Sequence, residues 1–259
     1  SQRNKTVTET TLIKPETLRS ANGEMTMGPQ QTLNHLKTMP MTPMGMRNHV
    51  LSCLDPSNIE NHVLPTLIYQ MKGMSGRCNK NFLNRVCRFR GCRHLEIGTW
   101  QGSTLISAAY HNNGPDNFFT GVDDFSQFGE ADQIRASLQA SIEKWKLEKA
   151  IEFVEGDCWE MPLIKIPIDD VNVYNYDGGH QAEDHRQALV RFLPKLAKTF
   201  IYICDDWNHP SARRGTHHAI QELKLEPVLW IELFTEGRKS SCADDWWNGT
   251  LVAVLHQPD

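Results

Sequence analysis

Two stretches concentrate residue types able to do acid–base or metal chemistry, Tyr174-Asn-Tyr-Asp-Gly-Gly-His180 and Ile201-Tyr-Ile-Cys-Asp-Asp-Trp207. Each is an apolar, aromatic or β-branched run that ends abruptly in acid. Asp177 closes the first, with His180 three residues on, and Asp205 and Asp206 close the second. Such runs read as buried strands of a parallel sheet, and open α/β sheets bind their ligands just past the strands' carboxyl ends. Three carboxylates gathered there repel one another, and one of them has to keep a proton. A hard cation such as Mg²⁺ relieves the conflict, because it takes carboxylate and water oxygens and leaves positions open for a substrate. An imidazole that titrates near neutrality makes His180 suited to a general base.

A second constellation lies upstream, in Arg93-His-Leu-Glu-Ile-Gly-Thr-Trp-Gln-Gly-Ser-Thr104. Gly98 allows a sharp turn and a close ligand approach, Gly102 permits a tight passage into a helix, and Ser103 or Thr104 is placed to cap it. Trp100 stands where a dinucleotide loop needs glycine, which argues against a pyrophosphate guest. Glu96 suits a cationic amine. Asp123, at the end of the next apolar run, suits ribose hydroxyls.

The elements that must position these residues follow from the alternation that begins near residue 93. Strands are expected at His94–Ile97, Phe118–Val122, Ile151–Val154, Val171–Tyr176 and Thr199–Cys204, with helical stretches between them. Ile134, Leu138, Ile142 and Trp145 mark one helix face; Ala188, Leu189, Phe192 and Leu193 mark another. Five βα units in series imply a doubly wound, mostly parallel sheet with right-handed crossovers. After a helix near Ala212–Leu223, the runs Pro227–Phe234 and Thr250–His256 read as a terminal antiparallel pair. The expected class is therefore α/β, a Rossmann-like sheet over 91–259. Ahead of it, residues 46–90 read as a helical cap, with a capping-box pattern at Ser57 and Glu60 and a second helix over Asn79–Arg90. Residues 1–45, with methionines among Pro and Gly, read as a flexible arm or a lid. An arm of this length suits exchange between subunits of a homo-oligomer.

Bulk properties narrow the partners. The 259-residue chain carries a net charge of -4 and has no basic stripe, so nucleic acid is not expected as the partner. No apolar run approaches the roughly 18 residues that span a bilayer. The polar N-terminal stretch lacks the apolar core of a signal peptide. The seven cysteines lack metal-finger spacing, and reduced thiols of a cytoplasmic protein are the plain reading.

Glu96-x-Gly98-x-x-x-Gly102, then Gly121-Val-Asp123, then Gly156-Asp157 after the third strand together resemble a class I S-adenosylmethionine-dependent methyltransferase. The resemblance covers roughly residues 90–256. It implies that Glu96 and the Gly98–Gly102 turn, with Thr99 and Ser103, hold the methionine part of the cofactor. Asp123 would take the ribose, Asp157 and Cys158 would flank the adenine, and Asp177 would close the cofactor wall. Asp177-Gly-Gly-His180 with Asp205-Asp206 is similar to the metal-dependent sugar O-methyltransferases of the macrocin and mycinamicin type. That likeness implies Mg²⁺ or another divalent cation on Asp177, Asp205 and Asp206, His180 as general base, and a small hydroxylated acceptor. Two alternatives stay open: methyl transfer to nitrogen or carbon with the carboxylates binding substrate directly, and a non-catalytic cofactor-binding protein.

Overall fold

The computed structural model describes residues 41–236 and 245–258. Four short helices lead into the sheet: α1 (Pro43–Cys53), α2 (Pro56–Glu60), α3 (Thr66–Tyr69) and α4 (Arg77–Val86). Proline opens α1 and α2 at their first turns, where its missing N–H is no loss. Pro56 at the first helical position makes Asp55 the capping residue, its carboxylate accepting from the Ser57 amide at 3.0 Å. The cap is therefore Asp55 and not the Ser57 box. The expected second helix begins two residues earlier, at Arg77, and stops at Val86, short of Arg90. Residues 1–40 of the expected arm lie outside the described residues, and α1 already begins at Pro43.

Fully buried Lys80 binds the cap together. Its Nζ donates to the carbonyls of Tyr69 at 3.0 Å and Met71 at 3.3 Å, and so satisfies groups that the end of α3 leaves without helical partners.

The sheet elements are β1 (Arg93–Ile97), α5 (Ser103–Ala109), β2 (Phe118–Asp123), α6 (Ala131–Lys144), β3 (Ile151–Glu155), β4 (Val171–Tyr176), α7 (Ala182–Val190), β5 (Leu196–Cys204), α8 (Pro210–Leu223), β6 (Glu226–Leu233) and β7 (Thr250–His256). The seven strands run in the order β3-β2-β1-β4-β5-β7-β6. β1 to β5 are parallel, while β7 lies antiparallel to both β5 and β6. This is the Rossmann-like doubly wound architecture expected from the sequence, with the reversal point at β1 and β4. One crossover differs from expectation. Between β3 and β4 there is only a 3-10 turn, Leu163–Lys165, in a segment that Pro162 and Pro167 keep from continuing as a helix.

Alternation sends successive strand residues to opposite faces. Val173, Ile201, Ile203, Val252 and Val254 pack in one core cluster with Phe82 and Leu83 of α4 and Leu105 and Ile106 of α5. Tyr174, Tyr176, Tyr202, Cys204, Leu251 and Ala253 pack on the other face with Ala188 and Leu189 of α7 and Ala212 and Ala219 of α8. Burial on both faces explains the near-continuous apolar runs.

The register fixes where these runs stop. Ile97 pairs with Tyr176 and Tyr176 with Cys204. The ladder continues one residue further: the Asp177 amide donates to the Ile97 carbonyl at 2.9 Å, and the Asp205 amide to the Tyr176 carbonyl at 3.0 Å. Gly98, Asp177 and Asp205 thus leave three neighbouring strands at one level. Gly98 has φ +88, and a Cβ there would overlap the Asp177 carbonyl. Gly98→Ala combines left-handed strain with a backbone clash, so it is expected to lower stability by about 2–4 kcal/mol, read as a lower urea midpoint at unchanged m-value.

Candidate active site

The carboxyl ends of the strands open into a cleft of about 330 Å³, within the size range of small-molecule sites. Gly98, Thr99, Ser103, Asp123, Asp157, Cys158, Asp177, His180, Asp205 and Asp206 all line it. Two of the residues expected at the site, Glu96 and Gly102, are not on its wall.

Gly102 is itself the capping residue of α5, with φ 79, and no side chain caps the helix. Ser103 and Thr104 therefore do not cap, since glycine occupies the position they would need. Thr104 instead donates its hydroxyl to Glu96 Oε1 at 3.0 Å, and Asn175 donates to Glu96 Oε2, also at 3.0 Å. Glu96 is fully buried, and that burial pushes its carboxyl up to about 7. Its position makes it a brace between α5 and β4 behind the Gly98–Gly102 turn.

Asp123 clamps that turn from the next strand. Its Oδ2 accepts from the Trp100 amide and its Oδ1 from the Phe125 amide, both at 2.7 Å. Each oxygen keeps a lone pair for a hydroxyl from the cleft. Burial raises its pKa, and the two backbone amides work against that rise. Trp100 stands edge-on to Phe128, ring centroids 6.0 Å apart, with the Lys72 ammonium 5.2 Å above the indole. Phe125 is buried and stacks on Phe153 at 5.0 Å, and Phe128 stands on the wall. Across the cleft, Asp157 Oδ1 accepts from the Trp159 amide at 2.7 Å. Burial, reinforced by the Asp157 charge, pushes the neighbouring Cys158 thiol up to about 12, so this cysteine is a neutral wall and no nucleophile. Thr99 Oγ1 and Trp100 Nε1 are buried without a hydrogen-bond partner among the described residues. Orphaned polar atoms on a wall already rich in acceptors fit a guest that brings both hydroxyls and an amine, as S-adenosylmethionine does.

Asp177, Asp205 and Asp206 meet at the centre. One oxygen from each lies within 4.8 Å of the others. Burial first, then the neighbouring carboxylates, pushes Asp177 well above its ordinary value and Asp205 up to about 8. Each carboxylate of the pair raises the proton affinity of the other. An all-carboxylate donor set suits a hard divalent cation. Asp206, in the left-handed conformation at φ 56, is bound on both oxygens: Oδ2 meets His180 Nδ1 at 2.8 Å, and Oδ1 accepts from the Asn248 side chain. The His180 ring lies parallel to His209, centroids 6.1 Å apart. Trp100, Phe128 and Trp247, other non-glycine residues with positive φ, also line the cleft, which is where backbone strain is kept in functional sites.

Asn248, His209, Phe128 and Trp159 were not legible as site residues, because only the β6–β7 connection and the loops after β2, β3 and β5 bring them there. His217 and His218 are exposed on α8; His217 stacks on Trp230 at 5.1 Å, as a surface reading expects. Of the acids and tryptophans in the β6–β7 connection, Asp244 lies outside the described residues.

Residues 95–207 match the family model of a methyltransferase domain. No curated protein sequence matches the chain. Among solved structures, cofactor-bound Rv0187 from MTB is similar at 12% identity and TM-score 0.50, over 82% of this chain and 90% of that one. An O-methyltransferase from Bacillus cereus in complex with SAH is similar at 13% and 0.50, over 81% and 90%. SAH-bound PaMTH1 from Podospora anserina is similar at 10% and 0.52, over 92% and 100%. At these identities the likeness concerns the fold. The matched segment holds the last three residues of β1, the Gly98–Gly102 turn, Asp123 and the acidic ends of β4 and β5, so the match to a methyltransferase domain falls on the part of the Rossmann-like sheet that lines the cleft. The matched methyltransferase domain, together with S-adenosylhomocysteine-bound structures of the same fold, supports an S-adenosylmethionine-dependent methyltransferase.

Glu96 gives a pH test of this site. Its ordinary value of 4.5 rises to about 7 on folding, so the folded chain binds the proton more tightly than the unfolded one. Stability is then highest below about pH 4.5, falls as pH rises towards 7, and levels off above. Glu96→Gln removes this contribution and is expected to gain about 1–3 kcal/mol on wild type between pH 5 and pH 8, measured by urea denaturation at both pH values.

Proposed function

We propose that the protein transfers the methyl group of S-adenosylmethionine to a hydroxyl oxygen of a small polyhydroxylated or phenolic molecule. A divalent cation, Mg²⁺ or a similar ion, would be held by Asp177, Asp205 and Asp206, with His180 as general base. The observation that carries this reading is the meeting of three carboxylates within 4.8 Å on the cleft wall shared by His180 and the Gly98–Asp123 cofactor turn. The likeness of Asp177-Gly-Gly-His180 and Asp205-Asp206 to the macrocin- and mycinamicin-type enzymes supports it further.

When bound, the cofactor supplies an electrophilic sulfonium methyl, and the cation lowers the pKa of a coordinated hydroxyl. The chain's own residues do the rest. Asp123 accepts ribose hydroxyls while its amide contacts hold the Trp100 turn in place. Trp100 and Phe128 keep water from one side of the reacting centre. Asp206 at His180 Nδ1 makes Nε2 the basic nitrogen of the neutral ring, and Nε2 takes the proton from the acceptor hydroxyl. Much of the rate then comes from alignment of oxygen, methyl carbon and sulfur.

Three measurements test this. Calorimetry with S-adenosylmethionine should show binding that weakens about tenfold or more in Asp123→Ala, the scale of lost hydrogen bonds to a charged group; a wild-type protein that binds no cofactor removes the reading. A panel of hydroxylated acceptors, followed by release of S-adenosylhomocysteine, should give turnover that EDTA abolishes and Mg²⁺ restores. Activity indifferent to the chelator would leave the acids as direct substrate ligands. On an accepted substrate, His180→Ala should cost about 10²–10⁴ in kcat, and near-normal turnover would reduce His180 to packing.

A further inference from the structure

Asp177 and Asp205 sit above a second, much smaller space. Extended by one ladder bond each, β4 and β5 send Asn175 and Asp177, and Ile203 and Asp205, to the face covered by α4 and α5. A cavity of about 10 Å³ lies there, lined by both carboxylates and by Asn79 of α4. Asn79 is 7% exposed. Its Nδ2 donates to the Thr250 hydroxyl at 2.8 Å, and its Oδ1 is buried with no hydrogen-bond partner among the described residues. An uncompensated buried carbonyl oxygen is costly. Placed with two carboxylates around one atom-sized space, it makes a third oxygen acceptor on the wall that they share. A hard cation satisfies all three at once, since amide oxygens and carboxylates are its common ligands.

We propose that Asn79 is an additional oxygen ligand of the divalent ion, so that the helical cap and the strand ends share one metal centre. This rests on the metal-assisted reading above. It adds that ion binding fastens α4 onto the sheet and not only the acceptor to the cleft.

The test is a titration of the full chain with Mn²⁺, followed by electron paramagnetic resonance. Asn79→Ala should weaken Mn²⁺ binding about tenfold or more, the lower end of what outer ligand-shell losses cost. Asn79→Asp, which keeps an oxygen at the position, should bind at least as tightly as wild type. Thr250→Val removes the anchoring hydrogen bond but leaves Oδ1, and should stay within about threefold of wild type. Wild-type affinity in Asn79→Ala overturns the proposal while the carboxylate site stands. Equal losses in Asn79→Asp and Asn79→Ala mean that the amide is turned over and donates to the carboxylates, which also overturns it. A Thr250→Val loss as large as that of Asn79→Ala makes the effect one of packing and overturns the proposal as well. If wild type itself binds no Mn²⁺, the metal-assisted reading falls and takes this inference with it.

Discussion

The level at which β4 and β5 end governs the rest of this molecule. The parallel register sets Asp177 beside Asp205, and Asp206 follows in a left-handed turn that brings its oxygen to the same point. Apolar strands buried on both faces press these charges into a poorly solvated corner, where each raises the proton affinity of the others. Such a corner has two ways to be stable: it keeps protons, or it takes a cation. Asp206 escapes part of the conflict through His180 and Asn248. Asp177 and Asp205 have no comparable ion pair among the described residues, so the charge conflict falls mainly on these two.

The Gly98–Gly102 side of the cleft solves a different problem. A turn that carries Trp100 at positive φ is costly by itself, yet here the Trp100 amide is held by the Asp123 carboxylate, which also holds the Phe125 amide, while Glu96 ties α5, the helix that follows, to β4. The two acids do different work. Asp123 faces the cleft and keeps capacity for a guest, whereas Glu96 is spent on the scaffold and near neutral pH lies close to its own titration.

Much of this was legible in the sequence because the signals are local. Strand boundaries fall within a few residues of the apolar runs, since burial on both faces leaves no polar interruption. Asp177, Asp205 and Asp206 were recognisable because acid at the end of such a run has few structural reasons to be there. What was not legible depends on tertiary placement. The 3-10 turn between β3 and β4 has a proline at each side but no feature that forbids a helix between them outright. That Phe128 and not Phe125 reaches the wall goes with a left-handed backbone at both residues, which neither side chain announces. Asn79, Asn248 and His209 are ordinary polar residues until α4, the β6–β7 connection and the turn after β5 bring them to the strand ends.

The strand order carries a consequence for how the protein is made. β7, last in the sequence, is an interior strand between β5 and β6, and Leu251 to Leu255 are fully buried. Until residues 250–256 have left the ribosome, β5 offers an open hydrophobic edge and β6 has no neighbour to join. Asp206 also lacks Asn248, and Asn79 lacks Thr250. The nascent chain can form the Gly98–Gly102 turn beside Asp123 early, while these contacts of Asp206 and Asn79 wait for the last of the seven strands. A pause or truncation ahead of it would leave an aggregation-prone half-sheet whose chemistry has not yet been switched on.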